Sequence, residues 1–289
     1  MQILAALAAA VLVTGGLSPV PSDLVPAGNT RTAVQTVSDF VEEPSVHVLN
    51  EPVAIEELAA AGFEVESVDE DGARLSADLD SPLGDGSVVD TSLSVDLVDG
   101  AGTATIESAA LPTGNTVLSL EIHELTDDLV DVTITDASTG VSQRVTSSSG
   151  QGAAIPLVLG IPLVISALEA LIVASAAVIV AGVTYVAVTK VIEAINRSGS
   201  SYQHFMAARL SGRPLMIGNG LAFGAAVTRV KAQSDVWSRT RDGARTVCSS
   251  ASGGRTPLGP EVDRAGIHKV EHYHTAPRNN AHCFFGGPK

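Results

Sequence analysis

From Ile155 to Thr189 the chain runs for 35 residues with one charge, Glu169. Such a stretch cannot stay in water without exposing most of its apolar surface, so it belongs in a membrane or in a protein core. Ala170 to Thr189 alone is 20 residues without a charge. As a helix it would measure about 30 Å, the thickness of the hydrocarbon layer. Ile155 to Leu168 contains Pro156, Gly160 and Pro162 and is short for a span of its own. Length therefore favours a transmembrane segment or membrane-inserting helical hairpin over residues 153–196, with a membrane as partner through residues 155–189. Glu169 would then need a turn or a proton. A buried hairpin in a water-soluble fold is the other reading, kept open by the alanine content.

This segment divides two regions of opposite charge. The whole chain carries a net −15, which taken as an average argues against a polyanionic partner. Residues 1–150 hold three basic and 25 acidic residues, a net of −22. Residues 197–289 hold 13 basic and five acidic residues, a net of +8. The resolved charge points to a basic effector attached to an acidic carrier, and the excluded substrate class returns for the basic part.

Leu4 to Val13 is an apolar run followed by Gly, Ser and Pro, and Ala27 ends the stretch with a small residue. This predicts a secretory signal peptide over residues 1–27, although the usual basic start is missing. Ala54 to Ala61 is rich in helix formers, with Pro52 before it and Gly62 after it. From Phe63 to Thr146 the apolar residues recur at every second position, with turn dipeptides at Asp71-Gly72 and Asp99-Gly100. Residues 28–148 are thus expected to form an acidic β-rich carrier, an antiparallel meander with one dry face. A Ser/Gly linker follows at residues 147–152. Tyr202 to Leu210 reads as a helix and Leu215 to Ala226 as an apolar, Gly-rich link. Ser238 to Ser250 reads as a helix carrying Arg239, Arg241 and Arg245. His268–Thr275 and His282–Phe285 read as short strands around a turn at Ala276 to Asn280. The fold class expected is a multi-domain chain: a β-rich (α+β) acidic N-terminal region, a hydrophobic helical segment, and a small α+β C-terminal domain over 198–289, a helix followed by an antiparallel sheet.

Four of the seven histidines fall in the last 22 residues: His268, His272, His274 and His282. In a strand, His272 and His274 share a face, and the turn returns His282 toward them. One imidazole can act as base and another as acid near neutral pH. Arg278 and Lys269 can hold phosphate, with Arg241 and Arg245 as further basic groups for substrate. This set, with His272, His274, His282 and Arg278 as catalytic candidates, is the equipment for metal-independent RNA cleavage, with no cofactor. The same residues fit two other descriptions: a zinc site with Cys283 or His268 as fourth ligand, or a structural cluster. Cys248 and Cys283 lie on different expected elements and can pair in a secreted protein. Glu261 and Asp263 either orient a histidine or Arg264, or face water.

The run Gly259-Pro260-Glu261-Val262-Asp263, then His272-Tyr273-His274, then His282-Cys283-Phe284-Phe285-Gly286, resembles the C-terminal signature of a family of secreted toxin-like proteins of Gram-positive bacteria, of the polymorphic-toxin type. Asp235-Val236-Trp237 fits the same pattern. The resemblance covers only the C-terminal 55–90 residues. It implies a leader, a variable delivery region, sometimes a hydrophobic segment, and a toxic tip at the chain end, for which an immunity protein would be a partner. Helix-then-sheet tips of this size are similar to the barnase–colicin–RelE-like ribonucleases at the level of fold. The chain departs from the pattern at Cys283, where Ser or another small residue is expected. The rival functions are a pore-forming or membrane-disrupting toxin and a non-catalytic, membrane-anchored surface protein. The expected location is secreted or at the cell membrane.

Overall fold

The computed structural model describes residues 47–82, 86–109, 111, 114–148, 160–263 and 269–289, all within one unit, Val34–Lys289. The expected signal peptide, residues 149–152 of the linker, Pro156, Arg264 and His268 lie outside the described residues.

Helix α1 (Glu51–Ala60) begins with Pro52 in its first turn, where a missing N–H breaks no helical bond, and buries Ala54 and Leu58. The meander follows as expected: β1 (Glu64–Asp71), β2 (Arg74–Pro82), β3 (Val88–Asp96), β4 (Ala101–Glu107), β5 (Asn115–Leu125), β6 (Leu129–Asp136) and β7 (Ser142–Ser148). Each strand pairs antiparallel with the next. Leu75 and Ala77 lie opposite Val95 and Leu93, and all four are buried. Ser76 and Ser94 between them, and Asp78 and Asp80 further along β2, occupy the wetter face, as the two-residue period requires.

The apolar segment departs from expectation. It forms α2 (Ile161–Val173), the hairpin β8 (Ala177–Val180) and β9 (Val183–Ala187), and α3 (Val188–Ser198). No helix of the described residues is long and apolar enough to cross a membrane, so the hydrophobic helical segment is corrected to a helix–hairpin–helix packed in the core. Pro162 starts α2 instead of kinking it. The chain reverses at Ala181-Gly182, where both residues have positive φ, 50° and 72°, the geometry of a tight two-residue turn. Ala177, Val178 and Ile179 are all buried. A strand buried on both faces reads as a continuous apolar run, which periodicity cannot tell from a helix. Glu169 sits on the half-exposed stripe of α2, where its carboxylate accepts a hydrogen bond from Ser147 Oγ at 2.8 Å.

The basic segment supplies β10 (His204–Arg209), β11 (Leu215–Leu221), α4 (Phe223–Lys231), β12 (Val236–Ser238), α5 (Arg241–Ala251), β13 (Leu258–Glu261), β14 (Val270–His274) and β15 (His282–Pro288). Tyr202 to Leu210 is therefore mainly strand, not helix, and the presumed link Leu215 to Ala226 is a strand leading into a helix. All fifteen strands join one sheet in the order β1-β2-β3-β4-β5-β8-β9-β11-β10-β12-β15-β14-β13, with β6 and β7 branching from β5. The expected separate α+β C-terminal domain is corrected accordingly: the chain builds a single sheet-rich body. The reason lies in the β8–β9 hairpin. Its two edges carry backbone groups within an apolar core, and those groups must be paired. One edge meets the acidic meander at Leu125↔Ile179; the other meets the basic segment at Ile217↔Val186 and Met216↔Ala187.

A buried arginine reinforces this junction. Arg213 binds both carboxylate oxygens of Asp127, with Nε to Oδ2 at 2.6 Å, and donates to the carbonyls of Ile172 and Ser175. One guanidinium thus joins the β5–β6 turn, the end of α2 and the basic segment. Arg213→Ala should lower stability by about 3 kcal/mol, because it strands a carboxylate and two carbonyls. Urea unfolding of the full chain measures this; an unchanged midpoint would remove the junction from the account.

Candidate functional site

The site grows from the pairing of β14 and β15. His272 lies opposite Phe284 and His274 opposite His282, so all four share one face. Tyr273 lies opposite Cys283 and Glu271 opposite Phe285, so these share the other. On that second face α5 packs through Ala244, Val247 and Cys248, forming a small core with Val236, Tyr273, Cys283 and Phe285. The helix is capped by Thr240, whose hydroxyl accepts from the Gly243 N–H at 3.1 Å. Cys248 and Cys283 form a disulfide there, across a separation of 35 residues, and so are not thiolate ligands.

On the first face the three imidazoles meet. Ring centroids are 4.9 Å apart for His272 and His274, 4.8 Å for His272 and His282, and 4.5 Å for His274 and His282. Each ring is held by one nitrogen. His272 Nδ1 lies 3.0 Å from the Val270 carbonyl, His274 Nε2 lies 2.8 Å from Glu261 Oε1, and His282 Nδ1 lies 2.9 Å from Asp235 Oδ1. Carbonyl and carboxylate oxygens only accept, so these nitrogens carry the protons. The lone pairs fall on His272 Nε2, His274 Nδ1 and His282 Nε2. The first two are buried and without a hydrogen-bond partner, an arrangement that costs about 1–3 kcal/mol for each group. Side-chain exposure is 0% at His272, 5% at His274 and 10% at His282, so all three rings lie beneath the surface.

The surrounding charges are tied to the rings. Asp235 accepts from the His282 backbone N–H at 2.8 Å and from Arg209 Nε at 2.8 Å. Burial pushes its carboxyl up, but hydrogen bonds from His282 and Arg209 outweigh that and hold it below the ordinary carboxylate range. Burial likewise raises Glu261, and hydrogen bonds from His274 and Arg278 bring it below its usual value. His274 is pushed below the ordinary imidazole range, first by burial and then by repulsion from His282, Arg278 and His272. It is therefore held toward its neutral form, with the Nδ1 lone pair buried and unmatched. Asp263 Oδ1 and Glu261 Oε1 stand 3.9 and 3.7 Å from His272 Nε2.

Not all the expected residues converge here. Arg278, 51% exposed, donates to Glu261 Oε1 at 2.8 Å and sits at the rim. Lys269 is exposed just before β14. Arg241 donates Nε to Tyr273 Oη at 3.0 Å, which places it with α5 on the other face, and Arg245 is exposed on the same helix. The sheet separates these two from the imidazoles. Asp235 is the residue that sequence reasoning missed in this role. It lies 47 residues from His282, and only the parallel pairing of β12 with β15 brings the two together. Comparison with family models, curated proteins and solved structures finds no match to this chain.

Two measurements check this geometry. Opening the disulfide with Cys248→Ser/Cys283→Ser should lower stability by about 3–4 kcal/mol, the chain-entropy value for a loop of this length. Identical melting of parent and variant would contradict it. Asp235→Ala should lower stability by about 2 kcal/mol at neutral pH, because it leaves the buried ring and backbone donors of His282 unmatched. Asp235 titrates below its ordinary value when folded, so its contribution is complete above the ordinary value and lost as pH falls through the folded one. The gap between parent and variant should therefore close in acid, as read by urea unfolding across pH.

Proposed function

We propose that this chain is a secreted, toxin-like protein whose basic C-terminal segment is the effector, and that its histidine cluster cleaves RNA. The observation that carries this reading is a pair of carboxylate–imidazole dyads, Glu261–His274 and Asp235–His282, whose rings face each other at 4.5 Å. A carboxylate behind an imidazole fixes its tautomer and supports the imidazolium once a proton arrives. Two such rings side by side can serve phosphodiester transfer. One takes the 2′-OH proton as the 2′ oxygen attacks phosphorus; the other protonates the 5′ oxygen as the P–O5′ bond breaks, leaving a 2′,3′-cyclic phosphate. His282, the most exposed of the three rings, and His274 are the proton-transfer pair. His272, fully buried, is a positioning residue whose ring packs edge-on against both. Arg278 at the rim turns from Glu261 to a phosphate oxygen when substrate enters.

The charge pattern supports the same reading. The +8 segment meets the polyanion, while the acidic meander travels on the same sheet as its counter-charge. An acidic immunity protein covering the Arg278 rim is the partner such an effector calls for. Because β10 and β11 belong to the common sheet, the test uses the full chain. The parent should cleave single-stranded RNA, and His274→Ala and His282→Ala should each lower the rate by about 100-fold or more, with folding verified by circular dichroism. A folded parent that leaves RNA intact, with or without a chelator, sinks the ribonuclease reading. Dye release from liposomes by that same inactive protein would support the membrane-disrupting alternative.

A further inference from the structure

We infer that His272, His274 and His282 are the ligands of one first-row divalent transition-metal ion, with Zn²⁺ the best fit. One nitrogen from each ring lies within 4.8 Å of the other two. One nitrogen of each ring is committed, to Val270 O, Glu261 or Asp235, which leaves the lone pairs of His272 Nε2, His274 Nδ1 and His282 Nε2 for an ion. Lone pairs gathered on one face repel one another. A proton shared between two of them leaves the third unmet, whereas a cation at their meeting point satisfies all three.

The second observation is independent of that convergence. His272 Nε2 and His274 Nδ1 are buried atoms with no hydrogen-bond partner, and both belong to rings on the face where the imidazoles meet. Among the other described residues of this segment the buried polar side chains are matched: His204 Nδ1 meets Ser238 Oγ at 2.9 Å, and Trp237 Nε1 donates to the Gly286 carbonyl at 2.8 Å. The unmatched atoms are those that a metal would use.

The outer hydrogen bonds have the form that supports metal-bound histidine, in which a carboxylate or carbonyl behind the ring fixes its tautomer and raises its basicity. Zinc binds imidazole at about 2.0–2.1 Å, which for tetrahedral ligands sets nitrogens about 3.4 Å apart. The three nitrogens, now within 4.8 Å of one another, would have to draw together to that spacing. Three neutral imidazoles without thiolate select zinc, cobalt, nickel or copper over magnesium and calcium, which take oxygen ligands. Cys283 is excluded as a fourth ligand by its disulfide. Glu261 Oε1 and Asp263 Oδ1 lie 3.7 and 3.9 Å from His272 Nε2. Glu261 already binds His274 and Arg278, so Asp263 is the carboxylate placed to hold a water on the ion. Three protein ligands and a water make the open form of site that activates water, not the closed structural form.

This site goes beyond the ribonuclease reading and stands whatever the effector cleaves. With an ion bound, the two lone pairs assigned to proton transfer become ligands, and the bound water beside Asp263 takes over as the base. The test uses untagged full chain, stripped with a chelator and dialysed, then titrated with Zn²⁺ by calorimetry, with metal content read by mass spectrometry. One ion per chain is expected, with no uptake of Mg²⁺. His272→Gln and His282→Gln should weaken Zn²⁺ binding by about 100-fold or more. Asp235→Asn, which removes the carboxylate behind His282 and the charge that pairs with Arg209, should weaken it by about 10-fold. His204→Gln should leave it unchanged. Zn²⁺ should raise the melting temperature of the parent and not of His272→Gln. A folded parent that takes up no Zn²⁺, or binds it as well after His272→Gln and His282→Gln, overturns the inference. Metal content is read without RNA, so its failure and that of RNA cleavage are separate results.

Discussion

The register of β14 against β15 is the constraint on which the C-terminal half depends. Placing His274 opposite His282 and Tyr273 opposite Cys283 sorts the hairpin into a face of imidazoles and a face that α5 covers. A slip of one residue would exchange the faces, sending the histidines into the apolar contact with α5 and Cys283 away from Cys248. The disulfide holds this arrangement from one side, since it ties β15 to the helix. The Asp235–His282 contacts hold it from the other, through both the backbone and the ring of His282. Structural and chemical residues therefore alternate along the same two strands, and each set keeps the other in place.

The opposite charges of the two ends are reconciled by the apolar segment between them. The β8–β9 hairpin lies within the sheet and pairs outward in both directions, so the acidic meander and the basic segment share one hydrogen-bonded framework. Arg213 adds a charged tie at the same junction by meeting Asp127 of the acidic side and carbonyls of the apolar segment. Much of the basic charge is used internally in this way. Arg209 serves Asp235, Arg229 donates to the backbone of Asp235 and Ala207, and Arg241 serves Tyr273. The basic groups with freedom to meet a ligand are therefore fewer than the net charge of the segment implies.

The histidine cluster is at once well supported and unmatched. Each ring is anchored through one nitrogen, while two inward nitrogens have no partner. Burial and like charge hold His274 in its neutral form, which keeps its lone pair ready for a proton or an ion. The two proposals differ in what fills that role. Both draw on the same support from Glu261 and Asp235.

Local pattern was enough to read the meander, the helix before it, α5 and the β14–β15 hairpin, because each is amphipathic within its own few residues. It also placed His272, His274 and His282 together, since alternation and a turn are short-range facts. The sequence of His204–Arg209 suggests a helix, and the apolar stretch a membrane segment, because neither alternates polar and apolar residues as a half-buried strand does. Whether Ile155 to Thr189 meets lipid or other strands depends on partners far along the chain. The tertiary structure decided those pairings, and with them the single sheet, the separation of Arg241 and Arg245 from the imidazoles, and the support of His282 by Asp235. The physical reason is the same in each case: side-chain alternation is written locally, whereas backbone groups at a strand edge pair with whichever distant strand the fold brings beside them.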